Sequence, residues 1–347
     1  MANELSSPSP VLYGIGNPLL DLTAVVPAEY LEKYGLTRGS AILADTQHLP
    51  IYDEISKDFE VKCSGGGATL NSMRIASALL GPNNCAYTGA VGDDDLAKTL
   101  KECVEGDGVI THCQTVEGQK TGVCAVLVVD KERTLVTSLN AANHLSFSHI
   151  ESLQDSILES KIIYSSGYVL TACPDVPRLA EIVSKTGSSV YAMNLGAPFL
   201  AEVPVFRESL VKLIHHSKFV FGNDVEALTF GRVNGWNEDL KEVCLKIANM
   251  PYSGEGQRIV VITCGAQPTL ITVDGKTVEE FPVSKIAKEE IVDSNGAGDA
   301  FVGGFLAAYL RGRGIPKCVE VGNEVAGIII RRSGVSIAGV LSSVEEM

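Results

Sequence analysis

No run in this chain is long and apolar enough to cross a membrane as a helix, although 45% of its residues are hydrophobic. No C-x-x-C pair occurs among its nine cysteines, which are scattered from Cys63 to Cys318. An odd, unclustered set argues against a disulfide framework or a zinc site and for free thiols in a reducing cytoplasm. Basic residues are scarce: 28 Lys and Arg stand against 42 Asp and Glu, a formal net charge of −14. Nucleic acid and anionic membrane are poor partners for such a chain, whereas a small anion needs only a local positive site. Residues 1–10, rich in Ser and Pro without a basic, apolar pattern, read as a short frayed tail rather than a signal peptide. Neither G-x4-G-K-[ST] nor the H-R-D and D-F-G pair is present, which excludes the P-loop and protein-kinase phosphate cradles. Internal repeats and low-complexity segments are also missing, and 347 residues leave room for one large domain or two ordinary ones.

What is present is an alternation of short apolar runs and helical patterns. A strand over 11–15 breaks at Gly14-Ile15-Gly16-Asn17-Pro18. This opening fails as a dinucleotide fingerprint, because Leu19 stands at the third glycine, Pro18 interrupts, and Asp21 follows far too soon. A second strand over 21–26 then crosses into another layer. The turn Gly65-Gly66-Gly67-Ala68-Thr69-Leu70-Asn71 feeds a helix with Met73, Ala76, Leu79 and Leu80 on one face. Pattern alone leaves a tight connection and a ligand contact equally open there. Residues 85–91 read as strand and 94–104 as helix. Between 109 and 142 the runs turn short and β-rich, with 122–129 and 134–139 facing each other across Asp130-Lys131-Glu132 as an antiparallel hairpin. Cys124 alternates within an apolar run and reads as core filler, and Arg133 near the hairpin turn reads either as a solvated side chain or as a clamp. From 162 onward strands (162–165, 190–194, 219–222, 259–263) alternate with helices (around 176–185, 207–215, 240–249). That is the sequence form of a parallel sheet covered on both faces. The predicted fold is α/β: a large domain from 1–20, 62–116 and 143–347, carrying a small β-rich lid from 21–61 and 117–142.

The stretch Asp293-Ser294-Asn295-Gly296-Ala297-Gly298-Asp299 precedes the most apolar helical run, 300–310. Small residues at Gly296, Ala297 and Gly298 let backbone N–H groups turn inward at a helix N-terminus, a ready anion site. An acid at Asp299 would repel that anion if its task were binding. A base that takes a proton from an attacking hydroxyl explains the pairing better, against the plainer reading of an N-cap on a buried helix. Asn223-Asp224-Val225-Glu226 follows the 219–222 strand. Asn223 and Glu226 share one face of a first helical turn, where they suit a hydrated magnesium or a capping box, the latter favoured by pattern alone.

The 293–299 stretch closely resembles the Asp-Thr-x-Gly-Ala-Gly-Asp signature of the ribokinase (PfkB) family of small-molecule kinases, with Ser294 keeping the hydroxyl of the usual Thr. That family also carries an Asn-x-x-Glu magnesium motif in the region of Asn223 and Glu226. Gly16-Asn17-Pro18-Leu19-Leu20-Asp21, Gly66-Gly67 through Asn71, Leu139-Asn140-Ala141-Ala142-Asn143, Asn194 through Ala197-Pro198-Phe199, and Ile329-Ile330-Arg331-Arg332 extend the resemblance over nearly the whole chain, toward the family's adenosine-phosphorylating branch. The resemblance implies a ribokinase-like fold and an ATP- and Mg²⁺-dependent transfer of phosphate to the 5′-hydroxyl of adenosine, with a soluble cytoplasmic monomer as the working form. A sugar kinase of the same family and a non-catalytic nucleoside binder are the alternatives.

Carried over by position, Asp299 is the base, Gly296, Ala297 and Gly298 form the anion site, and Arg133 neutralises phosphate charge. Asp21, Gly66, Gly67 and Asn71 hold the ribose, Asn17 and Leu19 line the base site, and Leu43, Cys124, Leu135, Thr137 and Leu139 close over it from the lid. Tyr168 occupies the position of an aromatic that stacks on adenine. Asn194, Asn223, Thr263, Gly265, Asn295 and Asn323 fall where the family binds ATP, Asn323 replacing a customary histidine, and Asn223 with Glu226 serves the metal.

Overall fold

The computed structural model describes residues 9–130, 132–236 and 238–340. The tail expected over 1–10 lies almost entirely outside the described residues, as does Lys131 of the hairpin turn. Among the described residues nine strands form a central sheet. In spatial order they are Glu279–Phe281, Gln267–Thr272, Ile259–Cys264, Ser217–Asn223, Val190–Asn194, Ile162–Ser166, Leu12–Ile15, Cys85–Thr88 and Val109–Thr111. The seven from Ile259–Cys264 to Val109–Thr111 run parallel, and the other two pair antiparallel at one edge. The predicted strands and the intervening helices of this α/β sheet are therefore present with ends displaced by up to three residues, except that the strand read over 85–91 divides into Cys85–Thr88 and Ala90–Gly92, the latter pairing with Gln114–Val116 in a separate two-stranded sheet.

Both faces of the sheet are covered, and the sequence alternates between two cores accordingly. Leu12, Ile162, Phe219, Phe221 and Val261 point into one cluster; Tyr13, Ile163, Val220 and Val260 point into the other. Each of these side chains is almost wholly buried. Near-continuous apolar strands are what two buried faces require. No helix among the described residues is long and apolar enough to cross a membrane.

A second sheet of five strands, among the described residues, runs in the order Ala41–Leu43, Glu132–Ser138, Val123–Val129, Leu19–Val25 and Val61–Gly66. Its centre is the antiparallel hairpin, Val123–Val129 against Glu132–Ser138. This sheet takes in Leu19–Val25 and Val61–Gly66 whole, strands that divisions at 20/21 and 61/62 would cut. Its link to the central sheet is short, because Leu12–Ile15 and Leu19–Val25 are separated only by the Gly16-Asn17-Pro18 corner.

Three helices fix the geometry between the sheets. Ala297–Leu310 is apolar all round and packs between Ile315–Ile329 and Ala68–Leu80. The contact with Ala68–Leu80 is close enough that a Cβ on Gly303 would sit 2.6 Å from the Ser72 carbonyl and 2.8 Å from the Ile75 Cβ. The Ser72 hydroxyl also donates to the Asp299 carbonyl at 2.9 Å. Two glycine turns far apart in sequence are thereby brought N-terminus to N-terminus.

Candidate active site

The signature loop is shaped by its own side chains before any ligand is considered. The Asn295 N–H donates to Asp293 Oδ1 at 2.9 Å, and Gly296 takes a left-handed φ of 77° as the N-cap of the Ala297–Leu310 helix. A side chain there would be strained by that φ and would run into Val335. No side chain caps this helix end. The Ala297 N–H is drawn to the Ser294 carbonyl at 3.3 Å, whereas the Gly298 and Asp299 N–H groups have no backbone acceptor among the described residues. The open donors are thus Gly298 and Asp299, Ala297 of the expected anion site being already engaged, and they sit at the positive end of the helix dipole.

The Asp299 carboxylate lies at the same point. Its Oδ2 accepts from Asn71 Nδ2 at 3.0 Å. Burial pushes its pKa up to about 7; the Asn71 hydrogen bond opposes that shift, and the nearby charges of Glu226 and Asp21 add to it. Asp299 and Gly298 line a cleft of about 450 Å³ together with Tyr168, Asn194, Asn223, Glu226 and Thr263. Five of the positions assigned from sequence to acceptor, donor and metal are therefore gathered around Asp299, with Gly298 of the expected anion site.

Asp21, on the Leu19–Val25 strand, lines a separate recess with Arg74, Asp107 and Arg133, near enough for its charge to act on Asp299. Burial raises its pKa to about 6, while Arg133 and Arg74 hold it down and Asp293 adds to the rise. Gly66 lies directly under it, and a Cβ at that position would enter the Asp21 carboxylate. Gly67, with φ 97°, is the N-cap that turns the chain into the Ala68–Leu80 helix. Asn17 is half-buried; its Nδ2 donates to the Ala142 carbonyl at 3.1 Å and to Asn143 Oδ1 at 3.3 Å, leaving Oδ1 buried without a partner.

From the five-stranded sheet, Cys124 is buried and takes a 3.3 Å contact from the Thr137 hydroxyl; Thr137, Leu135 and Leu139 are half-buried, and Leu43 is exposed. Arg133 is not a solvated side chain. Its guanidinium is ion-paired with Asp293, both side chains being buried, and its Nε has no partner. The Val123–Ser138 hairpin is thus tied to the 293–299 loop. Tyr168 is 38% exposed and inclines toward Phe199, also 38% exposed, with ring centroids 6.2 Å apart.

Asn223 and Glu226 form a full capping box. The Asn223 side chain accepts from the Glu226 N–H at 2.8 Å, and Glu226 Oε2 accepts from the Asn223 N–H at 3.0 Å. Asn223 Nδ2 also donates to Glu226 Oε1 at 2.7 Å. The box and a metal role coexist only if the ion keeps its water shell. Among the described residues no group of three His, Cys, Asp or Glu is placed to bind a bare ion. The arrangement fits Mg²⁺, which retains waters and leans on one or two carboxylates plus phosphate oxygens. Thr263, one residue before the end of its strand, lines the cleft, Gly265 forms the following turn with φ 59°, and Asn194 Oδ1 accepts from the Gly196 N–H at 2.8 Å. Asn295 is exposed. Asn323 lies away from the cleft, in a separate recess beside Phe281, Lys317 and Glu320, with Oδ1 accepting from Thr269 and Nδ2 unpartnered.

Sequence reasoning gave Asn71 to the ribose and missed its contact with Asp299. It also missed Arg74 and Asp107, and it named Phe199 only as part of the 194–199 stretch, without a role. Arg74 carried a signal in principle, an arginine one position beyond the apolar Met73 in a helix otherwise free of charge.

A parallel α/β sheet, a helix N-terminus with open donors and a carboxylate beside them define a small-molecule phosphotransferase of ribokinase-like fold. The chain belongs to the pfkB family of carbohydrate kinases, whose model matches residues 28–340. Within that family the chain is 40% identical over 329 residues to adenosine kinase 1 of Arabidopsis thaliana, covering 93% of this chain and 95% of that protein. It superposes with a TM-score of 0.84 on Anopheles gambiae adenosine kinase in complex with P1,P4-di(adenosine-5) tetraphosphate, at 37% identity and covering 95% of this chain and 98% of the other. The Trypanosoma brucei brucei adenosine kinase (apo) gives a TM-score of 0.88 at 35% identity, covering 94% and 100%.

Proposed function

We propose that the chain transfers the γ-phosphoryl group of ATP to the 5′-hydroxyl of adenosine, giving ADP and AMP. The observation that carries this reading is the Asp299 carboxylate, held by Asn71 against the open N–H groups of Gly298 and Asp299 in one cleft with Tyr168 and Glu226. The relatives, which are adenosine kinases over nearly their whole length, support the choice of acceptor.

In this reading the 5′-oxygen attacks the γ-phosphorus as the bond to the β,γ-bridging oxygen breaks, and ADP departs with that electron pair. Asp299 receives the hydroxyl proton; a pKa of about 7 makes it a matched base near neutrality. The Gly298 and Asp299 N–H groups face the charge on the transferred group, and Gly296 sets their direction. Arg133, anchored on Asp293, adds positive charge as the five-stranded sheet closes as a lid. Asn223 and Glu226 would hold the water shell of Mg²⁺, which when bound neutralises phosphate charge. Asp21 takes the ribose hydroxyls with Gly66, Gly67 and Asn71. Asn17 and Leu19 meet the base from below, and Leu43, Cys124, Leu135, Thr137 and Leu139 cover it. Tyr168 and Phe199 supply an aromatic wall for adenine. Asn194, Asn295, Thr263 and Gly265 face ATP, with Asn323 reached only by a donor that extends beyond the cleft. The nine cysteines, all free, fit an enzyme of the cytoplasm.

The test is a coupled ADP-release assay across adenosine, inosine, ribose and fructose with MgATP. Adenosine is expected to have the highest kcat/KM by a wide margin. Ribose or fructose turning over as efficiently would replace this reading with a sugar kinase. Adenosine binding with no ADP released from any acceptor would leave a nucleoside binder.

A further inference from the structure

We infer that Arg74 is a positioning residue for the base: clamped by Asp107 and the Gly65 carbonyl, it fixes the Asn71 amide in the one orientation that presents an N–H to Asp299. The inference rests on the assignment of Asp299 as the base.

Arg74 lies in the Ala68–Leu80 helix and is only 4% exposed, so its charge must be met inside the protein. Nε donates to Asp107 Oδ2 at 2.5 Å, and Nη1 donates to the Gly65 carbonyl at 2.6 Å. The Asp107 carboxylate meets the charge, and the Gly65 carbonyl anchors one arm of the fork. A third bond runs from the same Nη1 to Asn71 Oδ1 at 3.5 Å. A guanidinium only donates, whereas the two ends of an Asn amide differ, one accepting and one donating. Arg74 therefore selects the oxygen end and leaves Nδ2 to reach Asp299 Oδ2 at 3.0 Å. Turned over, the amide would set its oxygen against the Asp299 carboxylate and its NH₂ against the guanidinium, two repulsive contacts in place of two attractive ones.

Through that amide the Asp107–Arg74 pair favours the ionised base. The other groups that bear on Asp299 act the opposite way or stay neutral. Glu226 from the Asp224–Val233 helix and Asp21 from the Leu19–Val25 strand raise its pKa, and the Tyr164 and Tyr168 hydroxyls are themselves pushed up by burial. Arg74 acts on Asp21 by charge, lowering its pKa. The two effects are separable, because lysine keeps the charge but cannot span Asp107, Gly65 and Asn71 with a planar fork.

The experiment uses the full chain and the variants Arg74→Lys, Arg74→Met and Asp107→Asn, with kcat and the adenosine KM measured from pH 5.5 to 9. In Arg74→Lys and Arg74→Met the acid limb of kcat is expected to move up by about half to one pH unit, the usual worth of a hydrogen bond to a carboxylate. Turnover at pH 6.5 then falls roughly 3- to 10-fold and returns to within about 2-fold at pH 8.5. The adenosine KM rises in Arg74→Met and holds in Arg74→Lys. Asp107→Asn, which frees the guanidinium without removing it, moves the limb the same way. A merely structural role would lower turnover by one factor at every pH. If Arg74→Met does not fold, a ¹³C carboxyl titration of Asp-labelled Asp107→Asn reads the shift without turnover, the Asp299 signal being assigned by its loss in Asp299→Asn. An unmoved midpoint in Arg74→Lys and Asp107→Asn, by rate and by ¹³C, overturns the inference. A wild-type chain that releases no ADP from adenosine overturns the kinase reading instead, and the ¹³C titration still decides whether Arg74 tunes Asp299.

Discussion

Replacing Asp299 by Asn should abolish most turnover and make the protein more stable, and the two effects have one cause. The folded-state pKa of Asp299 is raised from 3.8 to about 7, chiefly by burial. For a raised pKa, the group's contribution to stability is complete below the unfolded value and is lost as pH rises through the folded one. Above pH 7 the ionised carboxylate therefore costs about 4 kcal/mol, from roughly three pH units at about 1.4 kcal/mol each. The Asn variant has the same size, accepts the Asn71 hydrogen bond through its own oxygen, and does not pay that cost. Its advantage should be nearly absent at pH 4, widen by about 1.4 kcal/mol per unit to pH 7, and level off beyond. Spread over the unfolding entropy of a chain this long, the plateau corresponds to a Tm gain of roughly 5 °C. Thermal unfolding of wild type and Asp299→Asn at half-unit steps from pH 4 to 8.5, without ligands, reads the gap directly. A gap that is zero at pH 8, or the same at pH 5 and pH 8, would refute the idea of a desolvated base held ready at a cost in stability. The rate measured alongside should fall about 10²- to 10⁴-fold, with adenosine still bound.

Other outcomes follow from neighbouring contacts. Gly66→Ala drives a methyl group into the Asp21 carboxylate, so the adenosine KM should rise about 10- to 100-fold, the worth of displacing a charged hydrogen bond; selectivity over 2′-deoxyadenosine should fall with it, and an unchanged preference would mean that other groups read the ribose. Glu226→Gln removes the charge from a buried carboxylate whose pKa burial already raises, and a Mg²⁺ titration of rate should show a higher metal requirement with little change in adenosine binding. An unchanged requirement would leave Glu226 as a capping residue alone. Amide exchange in Val123–Val129 and Glu132–Ser138 should slow on adding adenosine if the sheet is a closing lid, and equal exchange with and without it would count against closure.

Much of the local structure of this protein was legible along the chain. Asp293 to Asp299 reads as a glycine turn that opens a helix, and the helix Ala297–Leu310 begins there with Gly296 as its N-cap. The alternating apolar strands announce a sheet buried on both faces, and the hairpin around Asp130 announces a separate β layer. What the sequence could not set was which of its turns meet. Asn71 and Asp299 are 228 positions apart, and Arg133 and Asp293 are 160. Their contacts exist because Gly303 lets two helices pack at backbone distance and because the short corner at Gly16 folds one sheet over the other. The same packing buries Arg74 against Asp107 and carries Asn323 into a recess of its own. Residue type and spacing decide what a segment can do locally. Which donors face which carboxylate, and how far burial moves a pKa, depend on distances between segments that only the packed chain defines.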